Sequence, residues 1–134
     1  MEDPRYLSMP DPSQPVILFV DDEAVLLITA RLVFERAGYF VLTAENGARA
    51  WNCPVSFPGP IHALVSDVRM PIMDGIELYR RIAIERPATR VLLMSAFVDS
   101  PFQGYPFLRK PCHMDVLIKR VHELLLGAAA VARS

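Results

Sequence analysis

The sequence predicts an α/β fold built on a doubly wound parallel sheet. Short apolar runs alternate with segments of helical period along the chain. The apolar runs lack polar alternation, which indicates strands buried on both faces of a parallel sheet. Right-handed crossovers restrict such a sheet to a doubly wound topology. At 134 residues, 52% of them hydrophobic, the chain is predicted to form one globular domain with its own core.

Nine elements follow from apolar runs and from the residues that interrupt them. The predicted strands are residues 16–20, 39–43, 61–66, 90–94 and 107–109. The predicted helices are residues 23–37, 46–52, 75–85 and 113–126. Gly38 ends the first helix, prolines from Pro54 onward keep the second one short, and Pro87 closes the third.

The crossover between the fourth and fifth strands is unusually short. Only eleven residues, AFVDSPFQGYP, separate Ser95 from Phe107. A crossover with its helix needs at least about 10–12 residues, and proline and glycine disfavour a helix here. We therefore predict that residues 96–106 are mostly irregular, with a short or missing fourth helix.

Composition argues against several classes of protein. The net charge is −1 and no Lys/Arg-rich block is present, so nucleic-acid binding is not expected. No apolar run reaches the 18 or so residues that span a bilayer, and no signal pattern opens the chain. Two cysteines without motif spacing are read as free thiols, typical of a cytoplasmic protein. Residues 1–15 are predicted to be a flexible lead-in, 16–127 the domain and 128–134 a tail.

A polar residue directly follows the end of four of the five predicted strands. Asp21 and Asp22 follow the first strand, Asp67 the third, Ser95 the fourth and Lys110 the fifth. The carboxyl ends of parallel strands line the ligand crevice of an open α/β sheet, so these residues should converge at one edge.

The expected chemistry is that of phosphate and a divalent cation. Three clustered carboxylates repel one another unless a cation lies among them, and oxygen ligands with open positions suit Mg²⁺. A carboxylate beside such an ion can attack phosphorus. A nearby lysine and hydroxyl would neutralise the phosphoryl oxygens.

Four segments, VDDE, SDVRMPIMDG, LLMSA and FLRKP, occur in this order and together resemble the receiver domain of two-component response regulators. The resemblance covers roughly residues 16–126, and its most specific part is the pattern D-x-x-M-P-x-M-D-G. It implies a flavodoxin-like sheet of order 2-1-3-4-5. It also implies a cytoplasmic phosphorelay module that takes a phosphoryl group from a histidine kinase or phosphotransfer domain and switches protein contacts. Such a module is a phosphoacceptor rather than an enzyme, although it carries out Mg²⁺-dependent self-phosphorylation and self-dephosphorylation.

The resemblance implies a role for each site residue. Asp67 is the phosphoacceptor and also a ligand of Mg²⁺. Asp22 binds the ion directly, Asp21 binds it through water, and the backbone carbonyl of Arg69 is a further ligand.

The remaining roles concern the phosphoryl group and its readout. Ser95 hydrogen-bonds the phosphoryl group, and Lys110 forms an ion pair with it before a cis bond to Pro111. Phe107 occupies the position of an aromatic switch residue, but a core residue is an equally good interpretation.

Other interpretations remain open. The chain can be a receiver-fold interaction module that phosphate does not switch, which the short fourth helix favours. A Mg²⁺-dependent phosphohydrolase would usually need an acid two residues after the nucleophile, where Arg69 stands. A dinucleotide-binding domain lacks its G-x-G-x-x-G after the first strand. Asp22 or Glu23 can also simply cap the first helix, and Asp74 with Gly75 reads as a turn and a cap.

The first helix offers a candidate contact surface. Five residues at helical spacing are predicted to face the sheet: Leu26, Ala30, Val33, Phe34 and Ala37. Ile28 and Leu32 then point away from it, among charged neighbours. We predict that these two residues belong to a partner or self-association interface, although isolated exposed apolar residues are common.

Overall fold

Five parallel strands form one sheet in the computed structural model, which describes residues 9–52, 56–96 and 106–133. The strands are β1 (Val16–Val20), β2 (Phe40–Ala44), β3 (Ala63–Asp67), β4 (Arg90–Ser95) and β5 (Phe107–Arg109). Their order is β2-β1-β3-β4-β5, which confirms the predicted doubly wound topology. In the pairing of β1 with β3, Val20 lies opposite Ser66, so the carboxyl ends of the two central strands are level.

Four helices connect and flank the strands within the described ranges. They are α1 (Ala24–Arg36), α2 (Gly47–Asn52), α3 (Gly75–Glu85) and α4 (Met114–Arg133). Helix α4 continues beyond the predicted end at Leu126. Residues 128–130 are alanines, the strongest helix formers, so they extend the helix past Gly127.

Some predicted features lie outside the described residues. These are the first eight residues of the lead-in, Cys53, and residues 97–105 of the short crossover. The irregular crossover therefore stays a prediction, as do the domain boundaries. Cys112 is a free thiol, as predicted. In the three described ranges, no helix combines the length and the apolar character needed to cross a membrane.

The core lies in two layers, one on each face of the sheet. Successive residues of a strand point to opposite faces, so Leu18 joins one layer and Phe19 the other. The first layer, with α3, includes Leu78 and Ile82. The second layer, with α1 and α4, includes Ala30, Phe34, Leu117 and Val121.

An anchored loop completes the core beside the short helix α2. Phe57 is only 2% exposed and stacks on Phe40 with ring centroids 5.9 Å apart. The Arg86 guanidinium donates hydrogen bonds to the carbonyl oxygens of Phe57 and Gly59, at 2.6 and 2.7 Å. Because the prolines stop α2 early, an aromatic side chain from the following loop fills this part of the core.

Helix α1 packs on the sheet largely as its periodicity predicts. Ala30 and Phe34 are fully buried. The prediction is wrong for Ala37, which is exposed because the helix ends there and Gly38 turns the chain away with a φ of 99°. Leu27 packs against the second core layer instead.

The outer face of α1 carries an apolar stripe. Val25, Ile28 and Leu32 are 77%, 62% and 56% exposed. Their spacing of i, i+3 and i+7 places them on one side of the helix. The predicted exposure of Ile28 and Leu32 is therefore confirmed, and Val25 extends the surface toward the start of the helix.

His62 joins three strands at the amino-terminal edge of the sheet. Its Nδ1 accepts a hydrogen bond from the Val16 N–H at 2.9 Å, while its backbone N–H donates to the Val16 carbonyl oxygen. Its carbonyl oxygen accepts the Arg90 N–H. Burial lowers the pKa of His62 below its ordinary value of 6.5. The imidazole is therefore held neutral, which its acceptor role requires.

We expect the free energy of unfolding to fall in mild acid because His62 becomes protonated. A histidine with a lowered folded-state pKa contributes stability above its unfolded pKa of 6.5, and loses it as the pH falls through the folded value. His62→Gln keeps an acceptor for the Val16 N–H without titrating. Between about pH 7 and about pH 5, the melting temperature of the wild type should fall by a few degrees more than that of the variant. His122→Gln, at an exposed position on α4, is the control; equal pH dependence of wild type and His62→Gln would contradict the assignment.

Candidate functional site

Three carboxylates meet at the carboxyl edge of the two central strands. Asp21 and Asp22 follow β1 directly, and Asp67 is the last residue of β3. One ligand oxygen from each of the three acids lies within 4.8 Å of the others. The convergence predicted from strand order is therefore present, and the donor set of clustered carboxylate oxygens fits a hard divalent cation.

Asp21 and Asp22 are neighbours in sequence but occupy different environments. The Asp21 side chain is fully buried; its Oδ1 accepts the Glu23 N–H at 2.9 Å and its Oδ2 accepts Lys110 Nζ at 2.8 Å. Asp22 is exposed. Glu23 is the N-cap of α1, but its side chain makes no capping bond. The protein thus holds Asp21 in place and leaves Asp22 accessible to an ion.

Lys110 links the acids of the two central strands. Its Nζ lies 2.8 Å from Asp21 Oδ2, 3.4 Å from Asp67 Oδ2 and 3.9 Å from Glu23 Oε1. The backbone N–H of Lys110 donates to the Ser95 carbonyl oxygen at 2.9 Å, which fixes the end of β5 against β4. The peptide bond to Pro111 is cis, as the sequence resemblance implies.

The electrostatics of the site leave negative charge in excess. Burial raises the pKa of Asp67 above its ordinary value, the charges of Asp21 and Asp22 raise it further, and Lys110 opposes them. Burial alone would lower the pKa of Lys110, but its hydrogen bonds and charge interactions with Asp21 and Asp67 raise it, so the ammonium stays charged. Lys110 contacts Asp21 and Asp67, and the three clustered acids outnumber this lysine, so the cluster can accept a divalent cation.

Ser95 and Phe107 lie on the strands expected from the sequence. Ser95 ends β4 with only 1% of its surface exposed, next to Met94, the residue paired with Asp67. The Val68 N–H donates to the Met94 carbonyl oxygen, which ties the start of the loop after Asp67 to β4. Phe107 is half-buried and packs against the first core layer. This burial is compatible with both interpretations of Phe107, so its switch role stays a prediction.

The loop after Asp67 folds back onto its own origin. The Gly75 N–H donates to the Val68 carbonyl oxygen at 2.9 Å, and a Cβ at Gly75 would collide with the Asp67 carbonyl oxygen. Only glycine therefore fits at this position. Asp74 caps α3 by accepting the Glu77 N–H at 2.8 Å, which confirms the predicted turn and cap. Arg69 lies in this loop with an exposed side chain, and the metal-binding role of its carbonyl stays a prediction.

Sequence reasoning missed Ser66. Its hydroxyl is fully buried and donates to the Asp67 carbonyl oxygen at 2.9 Å, inside the sheet. The available signal was a lone hydroxyl in a largely apolar strand, immediately before Asp67. A buried polar side chain needs a partner, and here the partner is the backbone that carries Asp67.

A cavity of about 330 Å³ opens beside the acids, between α1 and the start of α4. Its apolar lining includes Leu26, Met94, Met114 and Leu117, and its charged lining residues are Glu23 and Lys110. The acidic site thus has a neighbouring depression that can receive an apolar group.

Comparison with known proteins places these features in one family. Residues 17–122 match the family model described as "Response regulator receiver domain". The response regulator receiver protein CpdR of Brucella abortus is 30% identical over 120 residues, which cover 84% of this chain and 98% of CpdR. The transcriptional regulatory protein GlrR of Escherichia coli is 33% identical over 120 residues. The chain spans only 27% of the length of GlrR.

Solved structures agree with these matches. The receiver domain of the hybrid histidine kinase CckA has a TM-score of 0.72 and 33% identity, covering 82% of this chain and 98% of that domain. A response regulator receiver domain protein from Methanospirillum hungatei has a TM-score of 0.80 over 88% of this chain. At 21% identity, that second likeness shows the shared fold alone.

Proposed function

Because this chain belongs to the response regulator receiver domain family, we propose that it accepts a phosphoryl group on Asp67 from a histidine kinase or phosphotransfer domain. The observation that carries the proposal is the convergence of Asp21, Asp22, Asp67 and Lys110 at one sheet edge. Receiver domains are signalling modules that work with histidine kinases or phosphotransfer proteins. The proposal adds that Asp67 is the acceptor, that Mg²⁺ is the ion, and that a histidine kinase or phosphotransfer domain is the donor.

The transfer step uses the Asp67 carboxylate as the nucleophile. One of its oxygens forms a bond to phosphorus while the bond from phosphorus to the donor imidazole nitrogen breaks, and that nitrogen keeps the electron pair. Lys110, already 3.4 Å from Asp67 Oδ2, neutralises negative charge on the phosphoryl oxygens. The Ser95 hydroxyl donates to a phosphoryl oxygen. Hydrolysis by water later returns the carboxylate and completes the self-dephosphorylation.

The cofactor of this proposal is Mg²⁺. Asp22 and Asp67 would bind the ion directly, Asp21 would hold it through water, and the Arg69 carbonyl would complete the protein ligands. When bound, the ion stabilises charge on the transferring phosphoryl group and offsets repulsion among the acids. Full burial of Asp21 and exposure of Asp22 support this division of roles.

The readout of phosphorylation is a change in protein contacts. Ser95 moves toward the phosphoryl group, and Phe107 follows as the switch residue on the adjacent strand. We also propose a cytoplasmic location, in keeping with the free thiol of Cys112.

The direct test is the intact mass after incubation with acetyl phosphate, with and without Mg²⁺. We expect one phosphoryl adduct that forms with Mg²⁺ and is lost when a chelator is present. Because acetyl phosphate is a small molecule, no cognate kinase is needed. A chain that folds and binds Mg²⁺ but gains no adduct would instead favour an interaction module that phosphate does not switch.

The donor protein is proposed to dock along α1. The apolar stripe of Val25, Ile28 and Leu32 begins beside the acids, and the cavity between α1 and α4 opens at the same edge. Apolar side chains surrounded by charged residues are typical of contact sites. The same stripe could also serve self-association, which the following measurement separates.

The paired variant Ile28→Lys with Leu32→Glu should weaken docking selectively. Folding and labelling by acetyl phosphate should persist, because both side chains point away from the core. Transfer from a protein donor should fall by about tenfold or more, the loss expected when charges replace apolar residues that carry much of the binding energy. A fall in dimer content by sedimentation would assign the stripe to self-association. Ile84→Lys, at a site 78% exposed on α3, is the control, and unchanged transfer and association would exclude the interface.

A further inference from the structure

The peptide unit that follows Asp67 is held at both of its polar groups. Its N–H, which belongs to Val68, donates to the Met94 carbonyl oxygen of β4 at 2.9 Å. Its carbonyl oxygen, which belongs to Asp67, accepts the Ser66 hydroxyl at 2.9 Å. A peptide unit is planar, so its orientation sets the ψ angle of the residue before it. The two bonds therefore fix the backbone from which the Asp67 side chain projects.

The Ser66 hydroxyl bonds to this carbonyl where the central strands stop pairing. The pairing of β3 with β1 ends at Ser66, opposite Val20, one residue before Asp67. From the loop, the Gly75 backbone packs so closely on the Asp67 carbonyl oxygen that a Cβ would collide with it. Asp67 as a whole is only 8% exposed. A buried carbonyl needs a donor, and the hydroxyl of the preceding residue is one.

Serine is an unusual residue for this place in the core. Leu64, two residues earlier in β3, belongs to the first core layer, and side chains two apart in a strand share a face. Ser66 is fully buried on that face. A β-branched apolar residue is the usual choice at a buried strand position. What serine offers and valine lacks is a donor for the Asp67 carbonyl oxygen.

We propose that Ser66 is a positioning residue for the transfer of the phosphoryl group to Asp67. This inference rests on the proposed function. The Ser66 hydroxyl is buried in the sheet and bonded to backbone, so it acts on the reaction through Asp67 rather than by touching the donor. It fixes the peptide unit whose orientation aims the carboxylate oxygen at phosphorus.

Attack on phosphorus is sensitive to small errors of aim. The attacking oxygen, phosphorus and the leaving atom must lie roughly in line, and a misplacement of about 1 Å can lower a rate by about 10²-fold. Asp67 Oδ2 lies 3.4 Å from Lys110 Nζ, so the aim of the carboxylate also sets how Lys110 meets the phosphoryl oxygens. The return of the loop is held separately, by the bond from the Gly75 N–H to the Val68 carbonyl oxygen. Loss of the hydroxyl should therefore slow the transfer step without preventing Mg²⁺ binding.

The test is a graded series at Ser66, labelled with acetyl phosphate at saturating Mg²⁺ and followed by intact mass. Ser66→Ala loses the donor, and its labelling rate should fall about tenfold while the Mg²⁺ concentration for half-maximal labelling stays unchanged. Ser66→Thr keeps a hydroxyl and should label at close to the wild-type rate. Ser66→Cys is nearly the size of serine and is a weak donor, so its rate should fall between those of the wild type and Ser66→Ala.

Ile82→Val controls for a general loss of packing. It removes one methylene group from the same core layer and should lower the melting temperature by a few degrees, as Ser66→Ala should. Measured well below the melting temperature, Ile82→Val should be labelled like the wild type. A matching loss of rate in Ile82→Val would overturn the inference, because weaker packing would then explain both variants.

The other results also decide the inference. Equal rates for the wild type and Ser66→Ala would overturn it while leaving the proposed function intact. Rates of Ser66→Thr and Ser66→Cys as low as that of Ser66→Ala would overturn it, because the donor would then be irrelevant. A rate of Ser66→Ala that additional Mg²⁺ restores would also overturn it, since the defect would lie in ion binding. If the wild type gains no adduct, the proposed function is wrong and this inference falls with it.

Discussion

Replacing Asp67 with asparagine should abolish phosphoryl labelling by acetyl phosphate. The amide keeps the size and the position of the side chain but lacks the carboxylate oxygen that attacks phosphorus. Of the other two clustered acids, Asp21 is fully buried and bonded through both oxygens, and Asp22 is the proposed ligand of the ion. The expected loss is therefore to background, measured as intact mass and by peptide mapping of the adduct.

Two further variants make this test specific. Asp74→Asn alters a nearby acid that caps α3, and asparagine is also a good N-cap, so this control should be labelled like the wild type. Lys110→Gln removes the cation that contacts Asp67 and should slow labelling by a factor on the order of 10²–10³. Persistent labelling of Asp67→Asn would show that another residue is the phosphoacceptor.

Millimolar Mg²⁺ should raise the melting temperature of the protein. The raised pKa of Asp67 means that its ionisation costs stability: the cost is absent below its ordinary pKa of 3.8, grows as the pH rises from there toward the folded pKa, and is complete above the folded pKa. A cation among the three acids offsets this cost. An ion at tenfold its dissociation constant stabilises the folded state by about 1.4 kcal/mol, or roughly 5 °C in melting temperature for a domain of this size.

Asp22→Ala should remove most of the response to Mg²⁺. Asp22 is the accessible acid of the cluster, so its loss takes away a ligand without breaking the ion pairs of the buried Asp21. Without Mg²⁺, this variant should melt at or above the wild-type temperature, because one of three like charges is gone. Asp115→Ala, at an exposed acid on α4, is the control and should respond like the wild type. If the melting temperature of the wild type does not change with Mg²⁺ but changes with other cations, the proposed ion is excluded.

Much of the fold was readable from local patterns in the sequence. Short apolar runs such as residues 16–20 predict buried strands, and their alternation with helical segments predicts a parallel sheet. Parallel order then brings the ends of distant strands together, so the meeting of Asp21, Asp67 and Lys110 followed from topology without coordinates. Helix α3 was also predicted with both ends correct, because a capping Asp74 and a closing Pro87 are local signals.

Other features were decided only by tertiary contacts. Asp21 and Asp22 are chemically identical neighbours, and only the fold buries one against Lys110 and exposes the other. Phe57 fills the part of the core beyond the end of α2, where its ring stacks on that of Phe40 in β2.

The turn at Ile72, in the loop between β3 and α3, was also decided by tertiary contacts. Local backbone preference disfavours its positive φ, and the packing of Met70 and Met73 against the core imposes it. Local geometry in the sequence predicted the period of each element and the residues at the carboxyl ends of the strands, and the resemblance to receiver domains implied the order of the strands. Tertiary structure decided burial, pairing and strain at individual side chains. Burial, pairing and strain depend on which residues, distant in sequence, come to lie beside a given side chain. Local sequence patterns do not specify those contacts.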